Sequence, residues 1–180
     1  ANTYSGNTSI NFGTLKVGSA TALGSGNASV TNGAVLDLNG QTMTSTGGLT
    51  LNGAGISSGG ALINSSSSPA TYAGLIALGT TAVSIIGDGG TIALTNSGTI
   101  SGSFIFTLGG TQGGSIASII SNGSAGLIKK DSGTWTLTGL NTYTGSTQIN
   151  GGVLSVSVLA NGGAVSGIGQ SSNSANSLII

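Results

Sequence analysis

Short stretches of this chain alternate apolar and polar side chains with a period of two. GTLKV places Leu15 and Val17 on one side and Lys16 on the other, and GLTLNG does the same with Leu49 and Leu51. TIALT offers Ile92 and Leu94, SFIFTL offers Phe104, Phe106 and Leu108, GTWTLTG offers Trp135 and Leu137, and GVLSVSV offers Leu154, Val156 and Val158. Period two marks strands with one buried face. The opposite positions are mostly Ser, Thr and Asn. No helical period runs through the chain, and strong helix formers are scarce, so no long helix is expected.

Turn signals separate these strands. Asn-Gly occurs at 32–33, 39–40, 52–53, 122–123, 150–151 and 161–162, and such pairs accept the positive φ of tight turns. Taken alone they favour antiparallel hairpins, and hence a sandwich or barrel. A long internal repeat decides against that. NTYSGNTSINFGTLKV (2–17) recurs as NTYTGSTQINGGVLSV (141–156), with ten of sixteen positions identical at an offset of 139 residues. Solenoids repeat in this way because each coil stacks on a similar one. At roughly 20 residues per coil, the offset corresponds to about 7 coils, and the whole chain to a rod on the order of 40 Å long. The expectation is a single all-β domain over 1–180, a parallel β-helix (β-solenoid) of right-handed winding.

Composition changes the picture in one respect. The chain has 35 Gly, 29 Ser and 1 Pro in 180 residues, a share typical of disorder. Leu, Ile, Val and Phe nevertheless total 45, and the net charge is zero, so a folded chain with many turns fits better. The ionisable groups are Asp37, Asp88, Asp131, Lys16, Lys129 and Lys130, with no Glu, Arg, His or Cys. This excludes a disulfide scaffold, thiol chemistry and a nucleic-acid footprint. A surface so poor in charge tolerates contact with its own copies. Residues 1–20 hold no signal peptide, and no apolar run is long enough to span a membrane as a helix.

The segment GLIKKDSGTWTLTGLNTYTGSTQINGGVLSV (126–156) resembles the autotransporter-associated β-strand repeat, also called the passenger-associated transport repeat. Lys129, Gly133, Thr134, Leu137, Gly139, Asn141, Thr142, Tyr143, Gly145, Asn150, Gly152 and Leu154 carry the resemblance, and residues 2–17 match its second half. The AVLDLNG stretch (34–40) is similar to sequence found between such repeats. The resemblance implies a bacterial surface or secreted protein with a right-handed β-helical passenger, and a link to passenger export across the outer membrane. Both ends look cut within the motif, which reads as uncapped ends that either continue in a longer chain or stack end to end.

Sites were weighed against plain structural roles. A carbohydrate-active enzyme needs paired carboxylates, and the three aspartates are read instead as structural: Asp37 outward between Leu36 and Leu38, Asp88 in a turn, and Asp131 as an ion pair or solvated charge beside Lys129 and Lys130. Turns carrying Asn, Ser and Gly do not suit a calcium repeat, and no Gly-rich stretch ends in the GK[ST] of a phosphate loop. No cofactor or metal is implied. Asn39 and Asn52, each after an LxL strand, are candidates for a stacked amide ladder at a coil corner. Tyr4 and Tyr143 are candidates for sugar or partner contact, with turn packing the favoured reading. Trp135 is a further structural or contact candidate. The threonine rows TMTST (42–46) and TWTLT (134–138) suggest an ice-binding face only if every coil repeats them. The sequons at Asn7, Asn27, Asn64 and Asn122 are expected by chance.

The resulting expectation is a non-enzymatic structural segment of an extracellular filament or giant surface adhesin, located outside the cell or on the bacterial surface. Its expected partners are copies of itself stacked end to end or side by side, with surface polysaccharide or a host surface as further candidates. A stalk in an autotransporter passenger is the second reading, and a β-helix enzyme acting on polysaccharide the third.

Overall fold

The chain winds through three parallel sheets in turn, as a computed structural model covering residues 2–44 and 47–180 shows. The first face holds strands Thr8–Ile10, Ala28–Val30, Leu49–Leu51, Ile76–Leu78, Thr99–Ser101 and Ile119–Ser121. The second holds Thr14–Lys16, Val35–Asp37, Leu62–Ile63, Val83–Ile86, Phe106–Gly109, Leu127–Lys129, Thr147–Ile149 and Leu178–Ile179. The third holds Thr42–Met43, Ala70–Tyr72, Ile92–Leu94, Gly113–Ile116, Thr134–Leu137 and Val153–Val156. Every strand pairs in parallel with the strand one coil away, and eight strands on the second face make about seven turns of a β-solenoid. Asn-Gly pairs mark corners between successive faces rather than hairpins. Among the described residues the one helical element is a single 3-10 turn, Ile56–Ser58.

Inward columns explain why the coils stack. Leu15, Leu36, Leu62, Ile85, Leu108, Lys129 and Ile149 follow one another up the second face. Leu36, Leu62, Ile85 and Leu108 are fully buried, and each such side chain is worth roughly 1.5–3 kcal/mol against leaving it in water. One coil cannot cover its own apolar residues, so stability resides in the neighbour contacts. On the third face, Gly114 stands between Ile92 and Trp135 in an inward column. A Cβ on Gly114 would lie 3.0 Å from the indole. The glycine thus leaves room for Trp135, whose Nε1 donates to the Gly109 carbonyl at 2.9 Å.

Coil length is less uniform than a 20-residue estimate. A coil takes 20 residues from Lys129 to Ile149, 26 from Leu36 to Leu62 and 31 from Gln148 to Ile179. The extra residues form corner excursions. One of them, through Ile56–Ser58, folds back so that Gly60 lies against the outward side chains of Ile63 and Ile86. Ile86 is thereby buried although it points away from the core.

Two alternation assignments are corrected. Phe104 lies at a corner before the strand Phe106–Gly109 and is 36% exposed, and Val158 lies beyond the strand Val153–Val156 and is 42% exposed. In both cases the apolar period continues into sequence where the backbone has already left the sheet. The two long repeat copies also occupy different faces. Thr8–Ile10 is on the first face and its equivalent Thr147–Ile149 on the second; Thr14–Lys16 is on the second and its equivalent Val153–Val156 on the third. The 139-residue offset therefore advances the motif by one face beyond whole coils. What the motif requires is a neighbouring coil, not a particular face.

Candidate functional site

The repeated NTY motif builds a related lock in each copy, completed further in the C-terminal one. In the C-terminal copy Asn141 is buried and spans three coils. Its Oδ1 accepts from Ile120 N at 2.8 Å, and its Nδ2 donates to Gly167 O at 2.7 Å. Thr147 Oγ1 gives its proton to Ile168 O at 3.0 Å. A hydroxyl has one proton, so the 2.6 Å contact with Tyr143 is a bond donated by the phenol. Burial pushes the Tyr143 hydroxyl up to about 12. Gly169, at φ +85, passes so close that a Cβ there would sit 2.6 Å from the Tyr143 ring.

The N-terminal copy repeats four of these contacts. Asn2 Nδ2 donates to Ala22 O at 3.1 Å, and the hydroxyls of Tyr4 and Thr8 are bonded. Ser25 N donates to Tyr4 O at 3.1 Å, as Gln170 N does to Tyr143 O at 2.7 Å. Gly24, at φ +65, packs under the Tyr4 ring as Gly169 does under Tyr143. The two tyrosines differ in cover: Tyr143 is fully buried and Tyr4 is 38% exposed. Tyr143 is thus a packing residue with no surface to offer a ligand.

The six charged residues of the chain all lie at one corner, between the second and third faces. The carboxylates stitch coils there. Asp37 accepts from Ser65 N at 3.0 Å, Ser65 Oγ at 2.6 Å and Asn39 N at 2.9 Å, with Lys16 Nζ at 3.9 Å. Asp88 accepts from Thr111 N at 2.9 Å, and Asp131 from Gly110 N at 2.8 Å. Asp37 points away from the core as its parity requires, yet it is buried under the Ser65 turn rather than solvated. Asp37 and Asp88 stand two coils apart, about 10 Å along the axis. Among the described residues no three acidic side chains gather as a metal site would need.

Asp131 forms the ion pair expected of it, with Lys130 at 3.7 Å. Lys129 is fully buried in the inward column between Leu108 and Ile149. Its Nζ ends in a cage of three backbone carbonyls: Lys130 O at 2.6 Å, Asp131 O at 2.8 Å and Gly151 O at 3.0 Å. Desolvation lowers its pKa, and the nearby Asp131 charge partly opposes this. The signal was present: in LIK, Lys129 has the same parity as the inward Leu127.

Asn39 and Asn52 do not stack on one another, because they stand at different corners. Asn39 follows the second face and donates to Val17 O at 3.0 Å. Asn52 follows the first, donates to Val30 O at 2.9 Å and accepts from Thr80 N at 2.7 Å. Asn7 and Asn27 do stand one coil apart at one corner, where each carboxamide oxygen takes a backbone N–H of the next coil. Asn27 N donates to Asn7 Oδ1 at 3.1 Å, and Gly48 N to Asn27 Oδ1 at 2.8 Å. Trp135 is a core residue. The threonine rows share one outward column of the third face, which reads Thr42, Thr71, Ala93, Ser115, Thr136, Ser155 and so does not repeat threonine at every coil. Ser45 and Thr46 of the first row lie outside the described residues. No described helix is long and apolar enough to cross a membrane.

The chain is a parallel solenoid in which a recurring Asn-Thr-Tyr unit bonds its coil to the next. The passenger-associated-transport-repeat family matches residues 1–17 and 127–156, which contain both locks and Lys129. The Adhesin BmaC autotransporter of Brucella suis biovar 1 (strain 1330) is 32% identical over 181 residues, covering 100% of this chain and 4% of the relative. The chain thus spans a small part of the length of the curated relative it matches. No solved structure matches it.

Proposed function

We propose that the chain is a rod segment of a large bacterial surface adhesin, exported as part of an autotransporter passenger and serving as scaffold outside the cell. The observation that carries this reading is the lock. Asn141, Tyr143 and Thr147 are committed to neighbouring coils, so the motif's chemistry is used to continue a stack. Similarity to an adhesin across the full chain supports the setting. The surface suits the role: charge is confined to one corner and the strand faces carry small hydroxyl and methyl groups, which hold a rod soluble without a strong field.

Catalysis plays no part in this reading, since Asp37 is spent on three hydrogen bonds that hold the Ser65 and Asn39 backbone. Asp37→Asn or Asp88→Asn that abolished a polysaccharide-cleaving activity would revive the enzyme. A filament built from copies of the chain is the second reading, favoured by a sequence with only six charged residues, which lets like surfaces approach. Electron microscopy of the purified chain at rising concentration separates the two. Single rods about 35 Å long support the scaffold segment; long unbranched fibres support the filament. Globular particles of no fixed axis contradict both.

A further inference from the structure

The six Asn-Gly steps are chemically alike but structurally unlike. An Asn-Gly step can close on itself: the glycine nitrogen attacks the asparagine Cγ, the N–Cγ bond forms, the Cγ–Nδ2 bond breaks and ammonia leaves. Water then opens the succinimide to aspartate or to isoaspartate, in which the main chain runs through the former side chain. The reaction requires a carboxamide free to swing and a glycine N–H that is not held. Asn39 fails on both counts, because its Nδ2 donates to Val17 O at 3.0 Å and Gly40 N donates to Asn64 Oδ1 at 2.9 Å. Asn52 is held at both ends of its amide, by Val30 O and Thr80 N. Asn122 is fully buried with Nδ2 on Phe104 O and Gly126 O. At Asn161 the following Gly162 N is held by Asn173 Oδ1 at 2.7 Å.

Asn32 and Asn150 are exposed, and among the described residues neither their carboxamides nor the N–H groups of Gly33 and Gly151 take part in a hydrogen bond. Asn32 is the slower of the two on packing grounds, since its Oδ1 rests against Gly53. We propose that Asn150 is a spontaneous deamidation site, with Asn32 second, and that conversion of Asn150 to isoaspartate loosens the coil that follows it. The consequence comes from Lys129. Gly151, the residue that attacks, supplies one of the three carbonyls that cage the Lys129 amine. An added backbone methylene immediately before Gly151 moves that carbonyl and leaves a buried cation short of a partner. The event also brings a new negative charge to the corner that already holds Asp131.

The test ages the full chain in mildly alkaline buffer at physiological temperature and maps peptides by mass spectrometry, with fragmentation that separates isoaspartate from aspartate. Two hydrogen bonds that must break before ring closure separate rates by roughly tenfold or more. Asn150 is therefore expected to convert at least about tenfold faster than Asn39, Asn52 or Asn122. Gly151→Ala, where a Cβ meets nothing closer than Asp131 O at 3.3 Å, is expected to suppress the conversion. Hydrogen exchange of aged protein is expected to show lost protection in Val153–Val156, which Asn150→Asp does not show because its backbone is not lengthened. Conversion of Asn39, Asn52 or Asn122 as fast as Asn150 overturns the assignment. Equal loosening in Asn150→Asp overturns the link to the Lys129 cage.

Discussion

The hydroxyl of Tyr143 donates to Thr147 Oγ1 at 2.6 Å, four residues along the chain, and the threonine passes its own proton to the Ile168 carbonyl of the next coil. A buried relay of this kind joins a local turn to a long-range contact. It fixes the turn only where the next coil is present, which is what a repeat that must stack requires.

Tyr143→Phe should cost about 1 kcal/mol, the net worth of one buried hydrogen bond. Thr147→Val should cost more, because Ile168 O also loses its donor. The double variant should cost less than the two singles combined, since they share one bond. Gly169→Ala should be worse than Tyr143→Phe, by about 1 kcal/mol or more, because the methyl meets both ring and backbone at positive φ. Urea unfolding of the four variants checks the ordering, and Tyr4→Phe should be the mildest change because Tyr4 is partly exposed.

Alkaline pH should unfold the rod. Burial raises the hydroxyls of Tyr72 and Tyr143 from 10.0 to about 12. A raised acid is favoured in its protonated form when folded, so its stability is complete below pH 10 and is lost as pH rises from 10 towards 12. The loss amounts to on the order of 2–3 kcal/mol per tyrosine by the top of that range. Lys129 has the opposite sign. Its lowered pKa makes stability rise with pH below its ordinary 10.5. A stability–pH curve that climbs on the alkaline side and breaks above pH 10, with a smaller fall in Tyr143→Phe, is the expected shape.

Lys129→Met keeps the volume of an inward side chain and removes the amine. Three carbonyls lose their donor, and a loss of about 2 kcal/mol is expected, concentrated in the last coils. If the variant is instead more stable than the parent, the cage is a tolerated cost and not a support. Differential scanning calorimetry with hydrogen exchange on residues 147–156 decides it.

The single tryptophan reports on the core. Trp135 emission should be blue-shifted in the folded chain and move red in one step on unfolding. Trp135→Ala should cost about 3–5 kcal/mol, because Gly114 leaves a gap that nothing nearby can fill.

The period-two pattern made Leu49, Leu51, Ile92, Leu94 and Leu137 legible as inward residues, and the repeat made the solenoid legible. Both signals are local in sequence. What they could not convey was the angle between faces, so the repeat copies turned out one face apart and Asn39 and Asn52 fell at different corners. An outward position does not by itself mean exposure: Asp37 and Ile86 both point outward and are buried, because corner excursions fold back over the sheet. The burial of Lys129 was not foreseen, although its parity with Leu127 places it inside. Where charge and period disagree inside an otherwise regular strand, the period here is the better guide.

The central claim is that residues far apart in sequence stand in one column at one strand spacing per coil. The chain has no cysteine, so spin labels can be placed freely. Thr14 and Gln148 are six coils apart on the second face, and Thr14 and Thr107 are four coils apart. Pulsed electron resonance on Thr14→Cys/Gln148→Cys and Thr14→Cys/Thr107→Cys should give backbone separations of about 29 Å and about 19 Å, a constant rise of about 4.8 Å per coil. Two distances that do not stand in that ratio, or a Thr14–Gln148 distance shorter than Thr14–Thr107, would contradict the solenoid and everything built on it.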